Sequence, residues 1–181
     1  MRKIRGGEIG TVWQEPSSVM NPAIKVGRQV AEVVKVHTGV PAREARRRAI
    51  ELLDHVRIPD AANRYHAYPG ELSGGMLQRV VIAAAIACRP DLLIADEATT
   101  ALDASVQRQV LELISELQSE IGMAILFVTH NLALVAEMAD QVAVMRHGRI
   151  VESGTVFDLF ERPAEGYTRE LLEASPNLLA G

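Results

Sequence analysis

A chain of 181 residues with 48% hydrophobic side chains and a formal net charge of -4 can hold one folded domain with a core, or one domain plus a small lobe. The acidic balance argues against a general nucleic-acid binder, and the single cysteine, Cys88, excludes an internal disulfide framework and reads as a buried, inert thiol. The longest wholly apolar run, Val80 to Cys88, is too short for a membrane span of about 20 residues, and the N-terminus from Met1 to Gly7 has charge but no apolar stretch behind it, so no secretory signal is expected and a cytoplasmic location follows as the default.

In chain order, Glu8 to Trp13 reads as a short strand that breaks at Gln14-Glu15-Pro16. Pro16, Pro22 and Gly27 punctuate the loop that follows. The spacing of Val26, Val30, Val33 and Val34 fits one face of a helix from Val26 to Val36. A second helix opens at Pro41 and runs to about Val56, with Ala45, Ala49, Leu52 and Leu53 facing inward. Arg43, Arg46, Arg47 and Arg48 read as its solvated face, with Glu44 placed one turn from Arg48. After a connector around Pro59 to Gly70, the run Glu71-Leu72-Ser73-Gly74-Gly75 opens an apolar helix that ends near Cys88.

Beyond Pro90 the pattern alternates. Strand Leu92 to Ala95 precedes a helix from Ala104 to about Ile121, with Val106, Val110, Leu113, Ile114 and Leu117 buried and Gly122 placed to stop it. Strand Met123 to Val128 follows, then a helix from Leu132 to Ala139. Gln141 to Met145 and Ile150 to Glu152 read as a hairpin with a His147-Gly148 turn. Apolar strands alternating with amphipathic helices imply an α/β fold with a mostly parallel sheet covered on both faces, into which a helical lobe is inserted.

Five short motifs or single residues carry chemistry. Ser73-Gly74-Gly75 sits where a helix begins. Its glycines allow close backbone approach, and the free N–H groups and positive dipole end of the helix favour an anion such as a γ-phosphate. Asp96-Glu97 ends an apolar strand, the place where α/β folds bind ligands. Asp96 is placed to hold Mg²⁺, and Glu97 to act on the attacking water as general base. His130 follows the next strand after Thr129 and is placed to hydrogen-bond a γ-phosphate and orient water. Gln14, at the end of the first strand, can reach Mg²⁺ or the attacking water and move with the helical lobe. Asp103 reads equally as the cap of the following helix and as a contact to another subunit.

These residues resemble the motifs of an ABC transporter ATPase of the oligopeptide/dipeptide (peptide/nickel) importer group. Five motifs match in order: the Q-loop at Gln14, the signature from Leu72 to Gln78, Walker B from Leu92 to Glu97, the D-loop from Ala101 to Asp103, and the switch histidine His130. The narrower assignment to peptide importers rests on Trp13-Gln14-Glu15-Pro16 with Asn21-Pro22, on Ala98 to Asp103, and on Arg162-Pro163 with Tyr167 to Leu172. The resemblance implies a P-loop NTPase-like fold divided into a core remnant with the Q-loop (1–19), a helical signature subdomain (20–88), the α/β core (89–160) and a C-terminal extension (161–181). ATP and Mg²⁺ are the implied cofactors. Glu97 and His130 are the implied catalytic residues. Gln14, Ser73, Gly74, Gly75, Gln78 and Asp103 are the implied nucleotide-binding residues, and Asp96 and Gln14 the implied metal-binding ones. The implied partners are a second ABC ATPase subunit and transmembrane permease subunits on the inner face of the cell membrane, with no nucleic acid and no iron–sulfur cluster.

The chain departs from the family pattern in several places. It has no Gly-x-x-x-x-Gly-Lys-Ser/Thr loop: Lys3, Lys25 and Lys35 are its only lysines, and none follows a glycine. Ala98 stands where the family has proline, Asn131 where it has aspartate, and Gly70 where it has histidine. The expectation is therefore an N-terminally incomplete domain unable to hydrolyse ATP alone. The alternative is a non-catalytic remnant that lends its signature loop to a partner ATPase.

Overall fold

Three short apolar runs that lie far apart in the chain meet in one parallel sheet in the computed structural model, which describes residues 4–100 and 102–175. They are β1 (Ile9–Val12), β2 (Leu92–Asp96) and β3 (Ala124–Val128), in the spatial order β1-β2-β3. The register pairs Val12 with Ala95 and Asp96 with Val128. Parallel neighbours need long crossovers. The first runs through α1 (Pro16–Val19), α2 (Val26–Thr38), α3 (Ala42–His55), α4 (Ala61–Arg64), a single 3₁₀ turn (Pro69–Glu71) and α5 (Gly74–Ile86). The second is α6 (Ala104–Ile121).

The amphipathic spacing explains which faces are buried. Helix α2 buries Val26, Val30 and Val34, and α3 buries Ala45, Ala49 and Leu53. Helix α2 runs two residues beyond Val36, to Thr38, because Gly39 supplies the left-handed terminus at φ 70°. Helix α5 is apolar nearly all round and accordingly buried on most sides, from Leu77 to Ile86. It lies directly on β1: a Cβ added to Gly10 would stand 2.4 Å from the carbonyl oxygen of Ala85. Only glycine at position 10 permits that approach.

One core joins the helices to the sheet. Val12, Leu93 and Ala95 share it with Val26, Leu53 and Ile82, and with Val110, Leu113, Ile114 and Leu117 of α6. Each fully buried Val, Leu or Ile contributes about 1.5–3 kcal/mol relative to an exposed one. The helical insertion is thus held by the same apolar contacts as the strands. Among the described residues, those up to Val128 form one compact unit and those from Thr129 a second.

The second unit contains α7 (Leu132–Met138), β4 (Gln141–Arg146), β5 (Arg149–Thr155), α8 (Val156–Glu161) and α9 (Gly166–Glu173). Strands β4 and β5 form an antiparallel hairpin. Its turn residues His147 and Gly148 both have positive φ, 49° and 75°, the combination that matches strand twist in two-residue hairpins.

In the first unit β3 leaves one face bare. Leu126 and Val128 are 51% and 47% exposed, and its far edge has no strand partner among the described residues. No helix among those residues is long and apolar enough to cross a membrane.

Candidate functional site

The C-terminal ends of β1 and β2 bring three of the expected residues to one edge of the sheet. Gln14 lies two residues beyond Val12, and Val12 is paired with Ala95, directly before Asp96 and Glu97. Gln14 is exposed, whereas Asp96 and Glu97 are half-buried. The turn after Val12 is closed by Ser18, whose hydroxyl donates to the Glu15 carbonyl at 2.7 Å.

Glu97 is set apart by its backbone. Its φ is 46°, a left-handed conformation that costs an L-residue with a side chain about 1–2 kcal/mol. Two hydrogen bonds hold it there: the Glu97 N–H donates to Val128 O at 2.8 Å, and the Thr100 N–H to Glu97 O at 3.1 Å. The chain thereby turns off the strand direction immediately after Asp96. The buried Ala98 and Thr99 anchor the turn from below. Backbone strain of this kind collects at functional sites, where the surroundings over-determine it.

Ser73 is the N-cap of α5, and its Oγ accepts the Met76 N–H at 3.3 Å. As an acceptor there, the hydroxyl keeps its own proton to donate elsewhere. The N–H groups of Gly74 and Gly75 fall in the first turn, where no helical carbonyl precedes them. Ser73 and Gly74 are exposed. Gly75 has a packing reason as well: a Cβ there would stand 2.5 Å from Val106 Cγ1. The helix start is therefore seated against the first turn of α6.

Asp103 caps α6. Its Oδ1 accepts the Ser105 N–H at 3.1 Å, the Ser105 hydroxyl at 2.8 Å and the Val106 N–H at 3.0 Å. The Val106 N–H, followed by the Ser105 hydroxyl, holds the Asp103 carboxyl below the usual carboxylate range. Ala101, at the start of this loop, lies outside the described residues.

Gln78, expected with the nucleotide-binding group, is placed differently. It is fully buried, and its Nε2 donates to the carbonyl oxygen of Trp13 at 3.5 Å. The sequence signal for this was available: one amide inside the apolar run of α5.

His130 is exposed and opens the second unit. It is flanked by a tight polar turn. The Asn131 N–H donates to Thr129 Oγ1 at 3.0 Å, and Asn131 Oδ1 accepts the Ala133 and Leu134 N–H groups at 3.1 and 3.3 Å. Asn131 is thus the N-cap of α7, a duty that asparagine and aspartate perform equally well.

No group of three or more His, Cys, Asp or Glu side chains among the described residues is arranged to hold a metal ion. Mg²⁺ needs no such group: one or two carboxylates, waters and nucleotide phosphates suffice. Asp96 at the strand end fits that donor set.

Comparison with known proteins identifies the family. The ABC transporter family model matches residues 1–100. A Brucella melitensis protein named a peptide import ATP-binding protein is 56% identical over 178 residues. That alignment takes in 98% of this chain and 53% of the relative. A similarly named Brucella ovis protein is 55% identical over the same length. The chain spans about half the length of the curated relatives it matches. Among solved structures, the ATP-binding cassette MJ0796, in a dimeric post-hydrolysis state bound to ADP and Pi, superposes with a TM-score of 0.73 at 27% identity. The superposition covers 86% of this chain and 66% of that one. With the signature run at a helix start, Asp-Glu at a parallel strand end and a family match over its first 100 residues, the chain belongs to the ABC transporter ATP-binding family.

Proposed function

We propose that this chain supplies the signature, Walker B and switch elements of an ATP-hydrolysing, energy-coupling subunit of an importer for peptides or similar small solutes. The observation that carries the reading is the edge formed by Gln14, Asp96 and the left-handed Glu97. Asp96 would hold Mg²⁺ with water and phosphate oxygens. Glu97, turned off the strand, would take a proton from the attacking water; His130 is the switch histidine that the family resemblance implies. Mg²⁺ when bound supplies charge neutralisation at the phosphates. Ser73, Gly74 and Gly75 would serve an ATP held mainly by a second ABC subunit facing this one head to tail; the dimeric state of the solved cassette supports a two-subunit assembly. Permease subunits would place the assembly on the inner face of the cell membrane.

A second reading is favoured by the exposed cap of Ser73. In it the chain donates only its signature loop to a partner's ATP. Co-expression with an ABC ATPase that carries its own phosphate loop separates the two. In the first reading both Ser73→Ala and Glu97→Gln lower phosphate release, the latter by about 10²–10⁴-fold at the affected site. In the second only Ser73→Ala does. If neither variant changes phosphate release, both readings fail.

A further inference from the structure

The geometry points to Gln78 as a positioning residue that ties the signature helix α5 to the loop of Gln14. Gln78 is 0% exposed among Leu77, Val80 and Val81. Its Nε2 reaches Trp13 O at 3.5 Å, and its Oε1 has no hydrogen-bond partner among the described residues. A buried amide with one long bond and one unmet acceptor is destabilising compared with an apolar side chain of the same shape. Packing alone does not call for glutamine at this place. What the amide touches is the carbonyl of the residue directly before Gln14, one position past the last pair of β1.

Helix α5 runs antiparallel to β1, with Gln78 beside Trp13 and Ala85 beside Gly10. Ser73 lies five residues before Gln78, about 7 Å further along the helix axis. One side chain therefore joins the helix that presents Ser73, Gly74 and Gly75 to the backbone that presents Gln14. The 3.5 Å separation is about 0.5 Å longer than a typical N–H···O bond. A small advance of α5 toward the end of β1 tightens the tie, and a small retreat breaks it. Displacement of the helix start by a bound phosphate is thereby passed to the Gln14 loop. That consequence rests on the functional reading above; the tie itself does not.

Trp13 is the sole tryptophan, so its fluorescence reports the position of the loop. In the full 181-residue chain, Gln78→Met keeps the side-chain length and removes the amide. The expected result is an equal or higher melting temperature with an acrylamide quenching constant for Trp13 raised about two-fold or more, as the loop opens locally. Unchanged quenching in a folded chain whose melting temperature is not lowered overturns the proposal. Should Gln78→Met fail to fold, the unsubstituted chain decides by nuclear magnetic resonance. Slowly exchanging side-chain NH₂ protons of Gln78 with cross-peaks to Trp13 support the tie, and fast exchange without them overturns it. Neither readout involves ATP, so failure here leaves the ATPase reading standing, and failure of that reading leaves the tie standing.

Discussion

His55, the last residue of α3, pairs with Glu120 on α6 across 2.9 Å. Arg57 forms a second pair with Glu116, and Arg79 on α5 donates to Val56 O at 3.1 Å and to Gln109 Oε1 at 3.2 Å. These contacts fasten the end of α3 to α6. Both contacts are about half exposed, so Arg57→Ala is expected to cost less than about 1 kcal/mol, and less still at high salt. Arg79→Ala removes a charged donor from a carbonyl and an amide and is expected to cost about 1.5–3 kcal/mol. Denaturant titrations at low and high salt measure both.

Glu97→Gly is expected to be more stable than Glu97→Ala, and under the proposed function both lower phosphate release. Both lose the side chain, but glycine at φ 46° avoids about 1–2 kcal/mol of left-handed strain, partly offset by about 0.4–1 kcal/mol of added unfolded-state freedom. A Glu97→Gly melting temperature equal to or below that of Glu97→Ala would show that the turn stores no strain. Phosphate release in the co-expressed assembly gives the other half of the comparison.

The acid limb of stability is expected to lie with Glu44 and Asp103. Hydrogen bonds from Arg47 and then Arg48 pull the Glu44 carboxyl down to about 2, and Asp103 is lowered from 3.8 by its helix-cap bonds. A carboxyl whose folded pKa is depressed stabilises the fold above its unfolded value. That contribution is lost as pH falls through the folded value. For Glu44 the window runs from 4.5 down to about 2, and for Asp103 it lies below 3.8. A Glu44→Gln/Asp103→Asn chain should therefore melt with a flatter pH dependence across that window, and a profile parallel to the parent's would refute the assignment.

The bare face of β3 should bind apolar probes. Leu126 and Val128 project from it half exposed, on an edge strand of the kind that invites pairing with other chains. Leu126→Lys is expected to lower apolar-dye fluorescence and slow aggregation, with little change in melting temperature. Equal dye binding before and after would place the sticky surface elsewhere.

Much of the architecture was legible because it follows from periodicity. Val26, Val30 and Val34 alone specify the buried face of α2, and Gly122 marks the end of α6 with φ 78°. The short elements were not legible. Helices α1 and α4 have four residues each, too few to show a period, and their stretches read as punctuated loops. The site was legible as residue types in order, because a strand-end Asp-Glu and a serine-capped glycine turn are local signals. The left-handed backbone of Glu97 was not, since it depends on Val128 O, supplied by a strand 31 positions away. Gln78 was legible as part of the signature motif through resemblance and as one amide inside an apolar run, but its contact with Trp13 required the folded packing of α5 on β1.

Helix α6 is about 27 Å long at 1.5 Å per residue. Asp103 sits at its front end, Arg79 grips it at Gln109, and the two carboxylates that face α3 lie behind that grip. Between these points Val110, Leu113, Ile114 and Leu117 hold the helix in the core, so Asp103 and the carboxylates at Glu116 and Glu120 are set about 20–25 Å apart on one continuously packed rod.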